Sequence, residues 1–186
     1  MADYTTAIEL SPRTPRYYFA RAAFYNEQKQ PDLALADYTR GIELDPTDWN
    51  GYNMRSLFYG KLKQYELALA DCTKAIALDS QNTILYNNRG DLYKSFNKYD
   101  LALADYTKAI EIAPKSSFYY TQRGRIYQIL KKHDLALVDF TKATELDPNY
   151  ATGYHWKGNI YRDLKQYDLA LVDYSKAIEL NPKADG

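Results

Sequence analysis

The sequence predicts an all-α protein, a stack of antiparallel helix pairs, on three observations. The stretch Tyr99–Pro114, YDLALADYTKAIEIAP, recurs at Pro31–Pro46, Tyr65–Ser80, His133–Pro148 and Tyr167–Pro182, always thirty-four residues apart and without insertion or deletion. A truncated copy, DYTTAIELSP, opens the chain at Asp3–Pro12. Within the period, apolar and small positions return at offsets of three and four, which is helical spacing. A proline closes all of these copies but one, just past the point where a helix must stop. A fixed period of this size marks a stacked array, in which each repeat buries its apolar face only against its neighbours.

Taken in order, Met1–Thr14 supplies the second half of a repeat. The full repeats are then residues 15–48, 49–82, 83–116, 117–150 and 151–184, which form one array with Asp185 and Gly186 left over. The first half of each repeat carries aromatic residues seven apart with a small residue between them. These are Tyr18–Ala22–Tyr25, Tyr52–Ser56–Tyr59, Tyr86–Gly90–Tyr93, Tyr120–Gly124–Tyr127 and Tyr154–Gly158–Tyr161. All three residues share one helical face. A glycine inside a helix costs about 1 kcal/mol relative to alanine, so a neighbouring backbone is expected to approach closely there.

In the second half, the LALADYTKAIEI segment of the third repeat reads as apolar at Leu101, Ala104, Ala109, Ile110 and Ile112, with Ala102 and Tyr106 four apart. Asp100 sits in the first turn, where it complements the helix dipole. Short links make the two helices of a repeat antiparallel neighbours.

Composition narrows the function. The formal net charge is +0, and the basic residues are scattered rather than gathered in a stripe, which argues against nucleic-acid binding. One cysteine excludes an internal disulfide framework and a multi-thiolate metal site. No leader and no apolar run of membrane-spanning length is visible, so no membrane partner is expected and the cytoplasm is the expected compartment. Cys72 occupies a slot held elsewhere by Tyr38, Tyr106, Phe140 and Tyr174, which reads as packing. His133 stands where Tyr65, Tyr99 and Tyr167 stand, and His155 lies in a different slot, so the two histidines make no metal site. No phosphate loop or nucleophile motif stands out. No catalytic residue, cofactor or metal is expected.

In the third repeat, Tyr86, Gly90, Tyr93, Ala102, Tyr106, Ala109 and Pro114 resemble the tetratricopeptide repeat, and the resemblance recurs over essentially the whole chain. It implies a right-handed superhelix whose first helices line a concave groove that holds a peptide or partner segment. One departure is systematic. Where the family commonly has leucine before the small residue, this chain has Arg21, Arg55, Arg89, Arg123 and Lys157. Sixteen residues further on stand Asp37, Asp71, Asp105, Asp139 and Asp173. Each basic residue is expected to form a partly buried ion pair with its aspartate, fixing register more than adding stability. The alternative is that each aspartate serves the basic residue three places on, as Asp105 would serve Lys108.

Function is expected where repeats differ. The groove-facing places give Asn53 and Leu57, then Asn87, Asn88 and Asp91, then Phe118, Gln122 and Arg125, then His155, Trp156 and Asn159. The first repeat offers Phe19, Ala20 and Ala23 there. Asn88 matches the central asparagine of the family's carboxylate clamp. Asn53 and Leu57, however, replace the required Lys and Asn, and Phe118 and Gln122 replace Lys and Arg, so chaperone-tail binding is not expected. Side-chain amides can bond both the N–H and C=O of an extended backbone, while Phe118 and Trp156 can seat apolar side chains. The expectation is a non-catalytic scaffold holding an extended peptide. The alternative is a self-assembling, engineered or excised array whose uncapped ends mediate homo-oligomer stacking.

Overall fold

The computed structural model describes residues 2–182. Eleven α-helices and no strand make up the described residues: α1 (Ala2–Leu10), α2 (Pro15–Glu27), α3 (Pro31–Leu44), α4 (Trp49–Lys61), α5 (Tyr65–Leu78), α6 (Thr83–Ser95), α7 (Tyr99–Ile112), α8 (Ser117–Ile129), α9 (His133–Leu146), α10 (Ala151–Asp163) and α11 (Tyr167–Leu180). The expected outer limits at Met1 and Ala184, and the leftover Asp185 and Gly186, lie outside the described residues. The chain divides into two compact units, Met1–Leu92 and Tyr93–Gly186, with the boundary inside α6.

Each even-numbered helix ends in the same way. At the end of α2, Lys29 turns left-handed (φ 56°), Gln30 N donates to Tyr25 O at 2.9 Å, and Lys29 N donates to Asn26 O at 3.1 Å. This pairing satisfies carbonyls that the helix end leaves open. Lys63, Asn97, Lys131 and Lys165 repeat the left-handed turn at φ 56–60°, a conformation that is strained for a residue with a Cβ. Proline at the first position of α2 and α3 suits a place whose N–H would have no partner. Asp48 caps α4 by accepting from Asn50 N at 2.9 Å.

In the first unit, α2 pairs with α3 and α4 with α5, while α1 packs on α2 and α3 on α4. Phe19, Ala22, Ala34, Tyr38, Ile42 and Phe58 form its main core. Phe19 does not line a groove as the sequence suggested; it is 5% exposed. A Cβ added at Gly51 would lie 2.7 Å from the Phe19 ring, and one at Gly41 would meet the same ring. These two glycines leave a notch that the ring fills.

In the second unit, α8 pairs with α9 and α10 with α11, and α7 and α9 pack on the helix that follows each. Ala102, Tyr106 and Ile126 form one cluster, and Ala136, Phe140 and Ile160 another. Leu101, read from sequence as apolar face, is 48% exposed, because the buried face of α7 runs through Ala102, Tyr106, Ala109 and Ile110 instead. The small residues inside first helices admit rings as well as backbone. A Cβ at Gly124 would lie 2.7 Å from the Phe140 ring; one at Gly158 would lie 2.8 Å from the Tyr174 ring and 3.3 Å from Ala170 O. In the first unit Ser56 stands at that place and Cys72 replaces the ring. Their Oγ and Sγ lie 2.9 Å apart, and Ser56 Oγ donates to Ala68 O at 2.8 Å.

The tyrosines gain a second role. Tyr18, Tyr52, Tyr86 and Tyr120 each donate through the hydroxyl to a carbonyl six residues earlier, at 3.0 to 3.4 Å. These bonds pin the link between successive helix pairs to the helix that follows it. A tyrosine body that is buried at Tyr18 and Tyr86 and half-buried at Tyr52 and Tyr120, with its hydroxyl tip satisfied, explains why tyrosine, rather than phenylalanine, recurs there.

Candidate functional site

The repeated charges sit between the helices of each pair. Arg21 Nε reaches Asp37 Oδ2 at 2.7 Å and Nη2 reaches Oδ1 at 2.9 Å. Arg55 meets Asp71 at the same two distances, and Arg123 meets Asp139 at 2.9 and 2.7 Å. Such two-pronged bonds are among the strongest that side chains make. The aspartate hydrogen bond is the largest cause pushing all three guanidinium pKa values up, against the opposing effect of burial. In four of the five full repeats the basic residue three places on pairs with a glutamate. Arg40–Glu43, Lys108–Glu111, Lys142–Glu145 and Lys176–Glu179 pair at 2.9, 3.0, 3.3 and 2.9 Å.

Sequence reasoning missed a third partner. The remaining Nη1 of Arg21, Arg55, Arg89 and Arg123 donates backwards to Thr5, Thr39, Thr73 and Thr107, at 3.4, 3.1, 3.5 and 3.2 Å. Each threonine lies sixteen residues before its arginine, on the second helix of the preceding pair. The arginine therefore joins three helices, and the recurrence of threonine at that place was the available signal. Tyrosine rings flank the same guanidinium: Arg21 lies 5.9 Å from the Tyr18 ring and 5.8 Å from Tyr25, and Arg123 lies 5.8 and 6.0 Å from Tyr120 and Tyr127. Arg89 lies 5.9 Å from Tyr86, and Asp105 is 4% exposed on α7.

Lys157 breaks the pattern. Its Nζ meets Asp173 Oδ1 at 3.0 Å, and Asp173 Oδ2 is buried without a partner. A lysine is a point charge without the fixed fork of an arginine, and here it meets only one of the two oxygens. Burial pushes the Asp173 carboxyl above its ordinary value, and the Lys157 hydrogen bond only partly opposes this. A carboxyl raised on folding favours the native state while protonated, and that contribution is lost as pH rises through its folded pKa. Lys157→Arg is therefore expected to stabilise the protein by about 1–2 kcal/mol at pH 7. Urea unfolding of both proteins at pH 7 and pH 4 checks this, with the gap expected to shrink at pH 4. An equal gap at both pH values removes Asp173 from the account.

The groove candidates separate into two kinds. In the first unit, Asn53 is 8% exposed and accepts from Asn88 Nδ2 at 2.8 Å across α4 and α6. Asn53 thus positions Asn88, which is the more open of the two. Asn87 Nδ2 donates to Asp91 Oδ2 at 3.2 Å, and Leu57 is exposed. In the second unit, Asn159 is 8% exposed and accepts from the Tyr174 hydroxyl at 2.7 Å, a bond that ties its amide inward to α11. Phe118 and His155 are exposed, and Gln122, Arg125 and Trp156 are half-buried. Arg125 Nη1 donates to Gln122 Oε1 at 3.0 Å, and its guanidinium lies 4.8 Å from the centre of the Trp156 ring. Trp156 stacks on Phe140 at 6.4 Å and 20°, and the His155 ring stands edge-on to it at 5.6 Å. Gln128 on α8, which also lies on this face, donates to Asp163 on α10 at 3.1 Å.

Cys72 is 0% exposed. Among the described residues, no cluster of His, Cys, Asp and Glu is arranged to hold a metal ion, and no helix is long and apolar enough to cross a membrane.

Paired helices of fixed period, joined by a repeated Arg–Asp link, define a helical-repeat protein. The tetratricopeptide repeat model matches residues 84–116, 117–150 and 151–184, and two further models of that repeat match residues 37–70 and 15–48. The chain belongs to the tetratricopeptide repeat family and has the form of a protein-interaction scaffold. Among curated proteins none matches it in sequence. Solved structures are similar along most of its length. YrrB, described as a tetratricopeptide-repeat protein with an unusual peptide-binding site, is 25% identical with a TM-score of 0.69, over 97% of this chain and 93% of that one. A MamA fragment from Desulfovibrio magneticus RS-1 is 18% identical with a TM-score of 0.76, over 92% and 97% of the two chains. Pseudomonas aeruginosa pilF is 20% identical with a TM-score of 0.76, over 90% and 76%. The last two likenesses are likenesses of fold.

Proposed function

We propose that this protein is a non-catalytic scaffold that binds an extended peptide or partner segment along the open face of its first helices. The observation that carries this reading is the contrast between what repeats and what does not. The Arg–Asp–Thr link and the Tyr hydroxyl bonds recur from pair to pair, whereas Leu57, Asn88, Phe118, Gln122, Arg125, His155 and Trp156 do not. Scaffold positions are constrained by packing, so information about a partner has room only on the open face. Amides there can serve both N–H and C=O of an extended chain, and the half-buried Trp156 suits an anchoring contact. The likeness to YrrB, described as having a peptide-binding site, points the same way.

The test is selection from a random peptide library, followed by calorimetric titration of the selected peptides into wild type and an Asn87→Ala, Asn88→Ala double variant. Binding is expected to weaken by about tenfold, which is one or two hydrogen bonds. Unchanged circular dichroism confirms that the variant is folded. If every selected peptide binds both proteins equally, these amides have no part in recognition.

A further inference from the structure

We infer that Arg125, seated over the face of Trp156, is a docking point for a carboxylate carried by the bound segment. This deepens the peptide-binding reading and rests on it. The arginines of this chain differ in their partners. Arg21, Arg55, Arg123 and Arg162 each meet an aspartate, at 2.7, 2.7, 2.7 and 3.1 Å. Arg125 meets no carboxylate among the described residues; its contacts are the amide oxygen of Gln122 at 3.0 Å and the face of Trp156 at 4.8 Å.

Those two contacts fix the guanidinium without neutralising it. An indole face attracts a cation and holds the guanidinium plane in place. The indole is itself held in place, because Phe140 is 0% exposed and stacks on it. Phe140 thus supports Trp156, and Trp156 in turn carries Arg125. A guanidinium has five N–H donors and no acceptor, and Gln122 takes one. The rest can meet the two oxygens of a carboxylate side by side. The ordering of the side chain is already in place, so binding loses less entropy than it would with a mobile arginine.

The surroundings favour a carboxylate on a peptide over a nucleic-acid backbone. A phosphate chain is held by a run of free cations, whereas Arg162 is already paired with Asp163, which also accepts from Gln128. The exposed His155 ring stands edge-on to Trp156 and adds ring surface beside the site. An acidic group beside an apolar side chain is the chemistry that fits.

The test compares wild type, Arg125→Gln and Arg125→Lys in selection from a random peptide library. Wild type is expected to enrich Asp or Glu at one register, or peptides ending at one register, and Arg125→Gln to lose that enrichment. Selected peptides are then remade with the acid changed to its amide, and separately with an amidated C-terminus. One of these changes is expected to weaken binding to wild type by about tenfold or more and to leave binding to Arg125→Gln unchanged. The change that acts tells a side-chain carboxylate from a terminal one. Arg125→Lys, which keeps the charge but not the fork, is expected to fall between. Peptides selected equally by wild type and Arg125→Gln, with no acidic preference, overturn the inference and leave the peptide-binding reading standing. Failure of every protein to select any peptide overturns both. Displacement of the peptide by single-stranded oligothymidylate assigns the guanidinium to phosphate instead and also overturns the inference.

Discussion

Asp139→Ala is expected to destabilise the protein by about 3 kcal/mol, toward the lower end of what breaking a buried ion pair costs. Removing the carboxylate strands the Arg123 guanidinium between Tyr120 and Tyr127, with only Thr107 left as a hydrogen-bond partner among those described. The Arg123 side chain retains 19% exposure, so water relieves part of the loss. The pair itself is a different matter. Replacing both members with apolar residues, as Arg123→Leu with Asp139→Leu, is expected to recover most of that loss, because two charges no longer need to leave water. Urea unfolding of the two variants beside wild type measures the contrast. A repeat array need not unfold in one step, so the transition is followed by both far-UV dichroism and tryptophan fluorescence. If Asp139→Ala costs under about 0.5 kcal/mol, the pair behaves like an exposed one and the three-helix link has no structural weight.

How much of this was legible in the sequence depends on the range of the interaction. The period is local and exact in count, so the helix pairs and the pairing of Arg21 with Asp37 could be read from spacing alone. Thr5 was equally legible in principle, since threonine recurs sixteen residues before each arginine, but reading forward from the arginine hides it. Phe19 and Leu101 were misplaced for opposite reasons. Phe19 turns inward because Gly41 and Gly51, distant in sequence, leave room for its ring. Leu101 turns outward because a helix of alternating leucine and alanine offers two apolar faces, and packing selects the alanine one. On the open face, the pattern identified which residues differ among repeats but not what each does. Asn53 and Asn159 are spent on Asn88 and Tyr174. Such a use depends on the neighbouring helix and has no signature in spacing.

The sharpest test of the packing concerns the place where Gly124 faces Phe140. Phe140→Cys is expected to cost about 3 kcal/mol, as a buried ring is lost and a cavity remains. Gly124→Ser is expected to cost about 1–2 kcal/mol, because a Cβ there would lie 2.7 Å from the ring and must push it aside; the gain in helix propensity, about 0.5 kcal/mol, only partly offsets this. Together the two substitutions reproduce the Ser56–Cys72 pair of the first unit. There the hydroxyl lies 2.9 Å from the sulfur and donates to Ala68 O at 2.8 Å; Ala136 O is the corresponding carbonyl in the second unit. The double variant is therefore expected to be more stable than the sum of the single losses implies, by about 1–2 kcal/mol. Equal additivity would mean that the two places do not compensate one another. The same cycle reaches the open face. Phe140 supports Trp156, and Trp156 supports Arg125, so the double variant, though partly restored in stability, is expected to lose the ordering of that guanidinium. Its selected peptides should bind more weakly than to wild type while its fold is intact, which separates the support of Arg125 from the overall stability of the array.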